Sequence, residues 1–525
     1  MLRSLFEVVA GADVRPGLFE DVERAWNLLA DAESVAPAVV EDVVMYPTVG
    51  VQLAKTLHDS GGVAPSWREI GVLHSMAAAA AVRSGLRCTI AVPVVHGAVT
   101  LPTVGQWQLR STGFPAGRVE LSIADGEVSL GHACTFLRAK EHRVSAAGRT
   151  LAVTFEDLDV YREFTAPVAP APLDAVEYEE WVKLLDEAWR LLARWHEGCA
   201  EELASGLRAL IPLGAGTAVF AASSSNAFGA IAMSAKATAT QLAEALVHEV
   251  QHSKLNALMD LVDLTTGETG WVYAPWRDDP RGLLGLLHGI YAFTAVVEFW
   301  HVQRDLVPPA ESRRAHFAFA LRRAQVRAAV DSLRGSTRLT DLGRAFVAAA
   351  SVRLSVCETA PVAVGLAKTV TGLLTEHRAV WRAHHLRPEP ADVETVAEAW
   401  MRGAKCAGRA RSQVVPSGVT GTRPRSALLE MRALTPDRFD QAVSLESADA
   451  MFARGERTTA ATAYERRIRT DPRDVDAWIG LGLASQVTAL LDEPATVRAV
   501  HAYVTTRTGA PPAPAELAAW MTASR

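Results

Sequence analysis

The sequence predicts a mainly α fold with a smaller antiparallel β region, an α+β architecture built around a helical metal-binding core and a C-terminal helical-repeat-like module. Three observations predict it. Hydrophobic residues fill 49% of the 525 positions, with alanine and leucine foremost among them, a composition that favours helix over sheet. Apolar residues recur at three- and four-residue spacing through long stretches. One block, from Arg87 to about Glu156, instead alternates short β-rich pieces with glycine-containing turns. The length exceeds that of one ordinary domain and sets an expectation of about two to four.

The elements follow in order. The first 85 residues read as helices, ending in the run HSMAAAAAVRSG from His74 to Gly85. The pieces TIAVPVV, RVELSIA and TLAVTFE then read as antiparallel strands joined by hairpins, one of them turning at Asp125-Gly126. Helices and strands together make a first domain over 1–165. The segment APVAPAP, Ala166 to Pro172, continues neither a helix nor a central strand and serves as a connector.

A second domain is expected over 173–412. Trp181, Leu184, Leu185, Ala188, Leu192 and Trp195 mark one buried helical face, core rather than a cofactor pocket. The stretch TAVFAASSSNAFGAIAMS over 217–234 is a further strand region. The helix after it carries the segment HEVQH and is expected to start at an N-cap hydroxyl, Thr238 or Thr240. From about Leu283 to Ala410 long helices dominate, among them HGIYAFTAVVEFWHVQ, SRRAHFAFALRRAQVRAAVDSLR and DVETVAEAWMRGAK. A loop with Pro416, Gly418, Gly421 and Pro424 precedes the third domain, 425–525. There Ala448, Gly455, Ala460, Tyr464 and Pro472 resemble one tetratricopeptide unit, and Trp478, Leu481 and Gly482 open a partial second. Helices from Ser426 to Val443 would cap it. Such a module either docks a partner, for instance a maturation protein, or packs against the body of its own chain.

Charge and cysteine usage narrow the function classes. A formal net charge of -6 gives no electrostatic reason to expect nucleic acid or an anionic membrane as partner, and the basic run Arg409 to Arg411 reads as solvated surface. Cys88, Cys134, Cys199, Cys357 and Cys406 are odd in number, scattered and never paired as CxxC, which fits a reducing cytoplasm rather than a disulfide scaffold. The opening MLRSLFEVVAGADVRPG lacks the apolar core of a secretory signal. With no run of about 18 uncharged apolar residues, no membrane span is expected.

The chemistry concentrates in HEVQH. His248 and His252, four residues apart, share one helical face, so both imidazoles can reach a single ion. Glu249 points beside that ion, where it can take a proton or hold a water. The flanking QLAEALV and LNALMDLV continue the helix without glycine or proline. Two imidazoles do not complete a site, and a third ligand is usual for zinc and for non-haem iron. His288 in GLLHGIYAF is the first candidate, Glu298 in AVVEFWH the carboxylate alternative and His301 a remoter one. Between the pair and His288, Arg277 and Arg281 bracket Pro280. Their guanidiniums either grip a substrate carboxylate or pair locally with Asp278 and Asp279.

HEVQHSKLNALMDL followed by APWRDDPRGLLGLLHGIYAF resembles a bacterial group of HExxH-motif peptide-modification proteins that accompany radical-SAM enzymes in clusters making ribosomally synthesised, modified peptides. The resemblance is sharpest over 223–299. It implies 2-oxoglutarate-dependent, iron-dependent β-hydroxylation of residues in a precursor peptide. It also implies His248, His252 and His288 as iron ligands, with Arg277 or Arg281 on the co-substrate carboxylate. Ordinary 2-oxoglutarate oxygenases instead use two histidines and one carboxylate on a barrel. The motif alone equally allows a cytosolic zinc peptidase with Glu249 as general base, and a structural metal in a non-catalytic scaffold is the third reading.

Overall fold

A computed structural model describes residues 18–59, 67–110, 117–214, 221–267, 269–406, 408–419, 423–442 and 447–523. The reading of the first 17 residues, the start of the 217–234 strand region, Gly421 and Val443 lie outside the described residues. The protein is 60% helical with 15% strand, mainly α with a smaller β region. It divides into two compact units, Met1–Asp260 and Leu261–Arg525.

The first unit opens with helices α1 (Leu18–Val35), α2 (Pro37–Val44), α3 (Pro47–Asp59) and α4 (Trp67–Ser84). Ala77 to Ala81 of α4 are fully buried on every side of the helix, which only methyl side chains allow when α1 and strand β1 both approach closely. Strands β1 (Cys88–Pro93), β4 (Arg118–Ala124) and β5 (Glu127–Leu130) form one antiparallel sheet, and β2 (Ala98–Leu101), β3 (Gly105–Leu109) and β6 (Cys134–Arg138) another. Asp125 and Gly126 both take positive φ, 55° and 81°, as the two-residue β4–β5 turn requires.

The third sheet extends the expected antiparallel region into a mixed one. Its order is β10 (Ala221–Ala222), β11 (Ala230–Ser234), β9 (Ala209–Leu213), β8 (Arg149–Phe155), β7 (Lys140–Ala146). The β7–β8 hairpin is antiparallel, but β9 runs parallel to both β8 and β11. The crossover from β8 to β9 is made by α5 (Ala175–Trp195) and α6 (Glu197–Gly206). This sheet therefore spans the proline connector, joining residues on either side of 166–172 in one unit. The connector is strapped to the segment before it, with Val168 N–H on the Val160 carbonyl and Ala171 N–H on that of Asp157. On α5, Trp181, Leu185, Ala188 and Leu192 are buried as their spacing predicts, and Trp189 with them, while Leu184, expected on the same face, is half-buried. Trp195 is a correction: it is 48% exposed at the helix end, with the Arg194 guanidinium over its ring. Helix α7 (Ala239–Met259) packs on α5, α6 and the β10–β11 edge.

The second unit starts with the short pair β12 (Trp271–Val272) and β13 (Arg281–Gly282), then α8 (Leu283–Gln303), α9 (Pro309–Ser332), α10 (Asp341–Glu358) and α11 (Val364–His385). Helix α8 is long and apolar enough to cross a membrane by composition, yet 67% of that window is buried inside the protein, against α9 and α10. Strands β14 (Leu386–Pro388) and β15 (Ser412–Val414) flank α12 (Pro390–Met401), and α13 (Pro424–Leu434) and α14 (Pro436–Ala442) follow. The repeat-like segment comprises α15 (Ala448–Arg454), α16 (Arg457–Thr470), α17 (Val475–Ser485), α18 (Thr488–Asp492), α19 (Pro494–Thr508) and α20 (Pro514–Ala523). Gly455 ends α15 at φ 93°, and the Tyr464 ring of α16 lies 2.5 Å from where a Cβ on Gly480 would sit, a contact only glycine permits.

Candidate metal centre

Helix α7 starts where the sequence places it, with the Thr238 hydroxyl accepting from Gln241 N–H at 3.2 Å. Its back face is fixed to α6, where Glu202 accepts from Gln251 at 2.9 Å and pairs with Lys254. One turn of α7 then presents His248 and His252 together. Their Nε2 atoms lie 3.1 Å apart, with the rings 4.7 Å between centroids and inclined at 83°. Both histidines are half-buried and Glu249 is buried, and ligand atoms of all three lie within 4.8 Å of one another. Among the described residues this is the sole such group of histidine, cysteine and carboxylate side chains.

The donor set fits an ion. Nitrogens bound to one metal through bonds of about 2.0–2.1 Å sit about 2.8–3.4 Å apart in octahedral or tetrahedral geometry. The observed separation falls in that range, which is equally that of a hydrogen bond between two neutral imidazoles. Two imidazoles beside a carboxylate suit zinc or non-haem iron rather than calcium or magnesium.

Glu249 is held from outside the helix. Ser223 Oγ, just past β10, donates to its Oε2 at 2.9 Å. Burial pushes the Glu249 carboxyl up to about 7, while the Ser223 hydrogen bond and the nearby charge of Lys236 pull the other way. The Ser223 loop reaches this place because α3 carries Gly50, where any Cβ would collide with the Asn226 carbonyl. Ser223 and Lys236 are the two residues here that sequence reasoning missed. The signal available was the polar run Ser223-Ser224-Ser225-Asn226 between two apolar stretches.

The remaining candidates belong to the second unit. His288, on α8, is half-buried, and desolvation lowers its pKa. Glu298 has both carboxylate oxygens on Arg353 of α10, at 2.9 and 2.5 Å. His301 packs against Phe319 with the rings tilted by 35° and 5.6 Å between centroids. Arg277 Nε donates to Asp279 at 2.7 Å, and Arg281 approaches the other oxygen of the same carboxylate at 3.6 Å. The local pairing is thus present through Asp279. Partial burial works against that carboxyl's ionisation, but the Arg277 hydrogen bond and the two cations hold it below its usual range. Asp278 turns the other way, to Arg423 at 2.9 Å and His377 at 3.4 Å. Tyr273 completes this network, 2.7 Å from His377 Nδ1.

No family model matches the sequence, and no curated protein matches it.

Proposed function

We propose that this chain is a metalloenzyme acting on a ribosomally made precursor peptide, an iron(II)- and 2-oxoglutarate-dependent oxygenase that hydroxylates a side-chain β-carbon. The observation that carries the metal is the convergence of His248 and His252 at 3.1 Å beside a buried Glu249. The choice of iron and co-substrate rests on the resemblance of residues 223–299. Iron(II) with 2-oxoglutarate and dioxygen supplies the oxidising power to hydroxylate an unactivated C–H bond.

The chain's own part is positional. His248 and His252 hold the ion from one rigid helix, which Glu202 clamps from behind. Ser223 fixes one oxygen of Glu249 and leaves the other to hold a water or a proton. The resemblance adds His288 as an iron ligand, with Glu298 the alternative, and an arginine, Arg277 or Arg281, on the co-substrate carboxylate. An incoming carboxylate must compete with Asp279 for either guanidinium. A cytoplasmic setting belongs to the same reading, and none of the five cysteines is in a disulfide.

One observation favours a second reading, zinc-dependent peptide hydrolysis. A buried carboxyl with one oxygen fixed by Ser223, next to two imidazoles, is the group a hydrolase uses to deprotonate an attacking water.

The test is anaerobic reconstitution with iron(II), followed by oxygen-dependent conversion of 2-oxoglutarate to succinate with candidate peptides. His248→Ala is expected to lose bound metal, whereas Glu249→Gln keeps metal and loses turnover. Unchanged metal content in His248→Ala would sink the metalloenzyme. Cleaved peptide with zinc and no 2-oxoglutarate would establish the hydrolase instead.

A further inference from the structure

A cleft of about 370 Å³ in the first unit serves neither the metal centre nor the hydrophobic core. On β8, Phe155 packs on Tyr178 and Trp181 of α5, so the alternate residues Ala152 and Thr154 face the other way. Across the hairpin, Arg143 pairs with Ala152 and Glu141 with Thr154, and these four form the cleft floor. The walls bring Asp42 of α2, Arg83 of α4 and Arg208, the residue before β9.

Three guanidiniums therefore meet in one concave space. Asp42 sits between two of them, accepting from Arg83 Nη1 at 2.6 Å and from Arg208 Nη1 at 3.0 Å. Arg83 Nη1 also donates to Thr103 Oγ1 at 2.9 Å. The Tyr46 hydroxyl, at the same wall, is committed to Glu156. Nε and Nη2 of Arg83 and of Arg208, and the whole Arg143 guanidinium, have no partner among the described residues. Three cations against the carboxylates of Asp42 and Glu141 leave the cleft positive. The guanidinium fork matches carboxylate and phosphate oxygens two at a time, which an ammonium cannot do.

We propose that this cleft is a binding site for a small molecule with one anionic head, carboxylate or phosphate. Arg143 and the unused N–H groups of Arg83 and Arg208 grip that head, and Asp42 is the resident competitor. The volume lies in the ordinary range for small-molecule sites, about 300–1,000 Å³. Glu141, two residues from Arg143 on the same face, disfavours a bare polyanion and leaves room for a polar or cationic tail.

Calorimetric titration of the full chain with inorganic phosphate and with 4-aminobutyrate, which carries one carboxylate head and a cationic tail, tests this, with choline chloride at matched ionic strength as the control. At least one probe is expected to saturate at one site per chain, and the preferred probe identifies the head. Arg143→Ala should weaken that binding about tenfold, the scale of one lost charge-assisted pair. Asp42→Asn should tighten it severalfold, a gain that misfolding does not produce. Arg143 is exposed, so its variant decides the matter even where Asp42→Asn lowers stability. No saturable binding of either probe, or the same affinity in wild type and Arg143→Ala, would overturn the site.

Discussion

Glu249 and Glu376 are both buried, and they are held in opposite ways. Glu376, on α11, is fully buried against the equally buried Arg425, whose Nη2 lies 2.7 Å from Oε1 at an angle short of a hydrogen bond. Arg425 also pairs with Asp449 at 2.7 Å, and Ser426 donates to the second Glu376 oxygen at 2.5 Å. Tyr464 donates to the same Asp449 at 2.6 Å. The network ties α11 and α13 to α15 and α16. Glu249 has a hydroxyl where Glu376 has a guanidinium, and burial pushes it up to about 7. A buried acid closed by a cation is architecture. One whose direct partner is a hydroxyl, with the Lys236 charge only nearby, is left able to gain and lose a proton.

The largest break in that comparison is Arg425→Ala. It leaves Glu376 buried without its counter-charge, and the second unit should lose about 3–5 kcal/mol in urea unfolding. A loss under about 1 kcal/mol would mean that the network relaxes into water and carries little of the fold.

A third buried acid sharpens the contrast through pH. Glu156 accepts from Tyr46 and from the Leu158 and Asp159 N–H groups. Burial, helped by the charge of Asp159, pushes its carboxyl up to about 7. The folded state thus keeps a proton that the unfolded chain releases near pH 4.3, the approximate ordinary glutamate value. This stabilising contribution is complete below that value and is lost as pH rises toward 7. Glu156→Gln should flatten the decline, visible as a smaller fall in melting temperature between pH 5 and 7.5 than wild type shows. Parallel curves for the two proteins would contradict the assignment.

The smallest effect belongs to Ser223. Ser223→Ala removes one hydrogen bond and should cost about 1 kcal/mol of stability. If the hydroxyl aims Glu249, turnover falls far more than stability does, and Ser223→Thr restores it. Equal behaviour of the alanine and threonine variants would reduce Ser223 to packing.

Local signals in the sequence were readable where neighbours along the chain decide the structure. The Thr238 cap, the Asp125-Gly126 turn, the α5 stripe and the juxtaposed His248 and His252 all depend on residues within a few positions. Pairings across distance were not. Strand β9 is five residues long, contains Pro212 and lacks alternation, because β8 and β11 flank it and both its faces are covered. Nothing near Ser223 announces Glu249, 26 positions on, nor does anything near Glu298 announce Arg353. The repeat-like tail shows both sides. Gly455 is legible as a turn, whereas the glycine that admits the Tyr464 ring is Gly480, not the neighbouring Gly482 that the repeat pattern marks.

The sheet shared across the proline connector limits how the protein can be cut. A fragment beginning at residue 173 would keep β9 and β11 but forfeit β8, exposing an apolar strand edge that ordinarily invites aggregation. It would also lose Gly50 and, with it, the backing of the loop that steadies Glu249. Any attempt to isolate a minimal piece that holds the HEVQH helix must therefore carry the amino-terminal helices along.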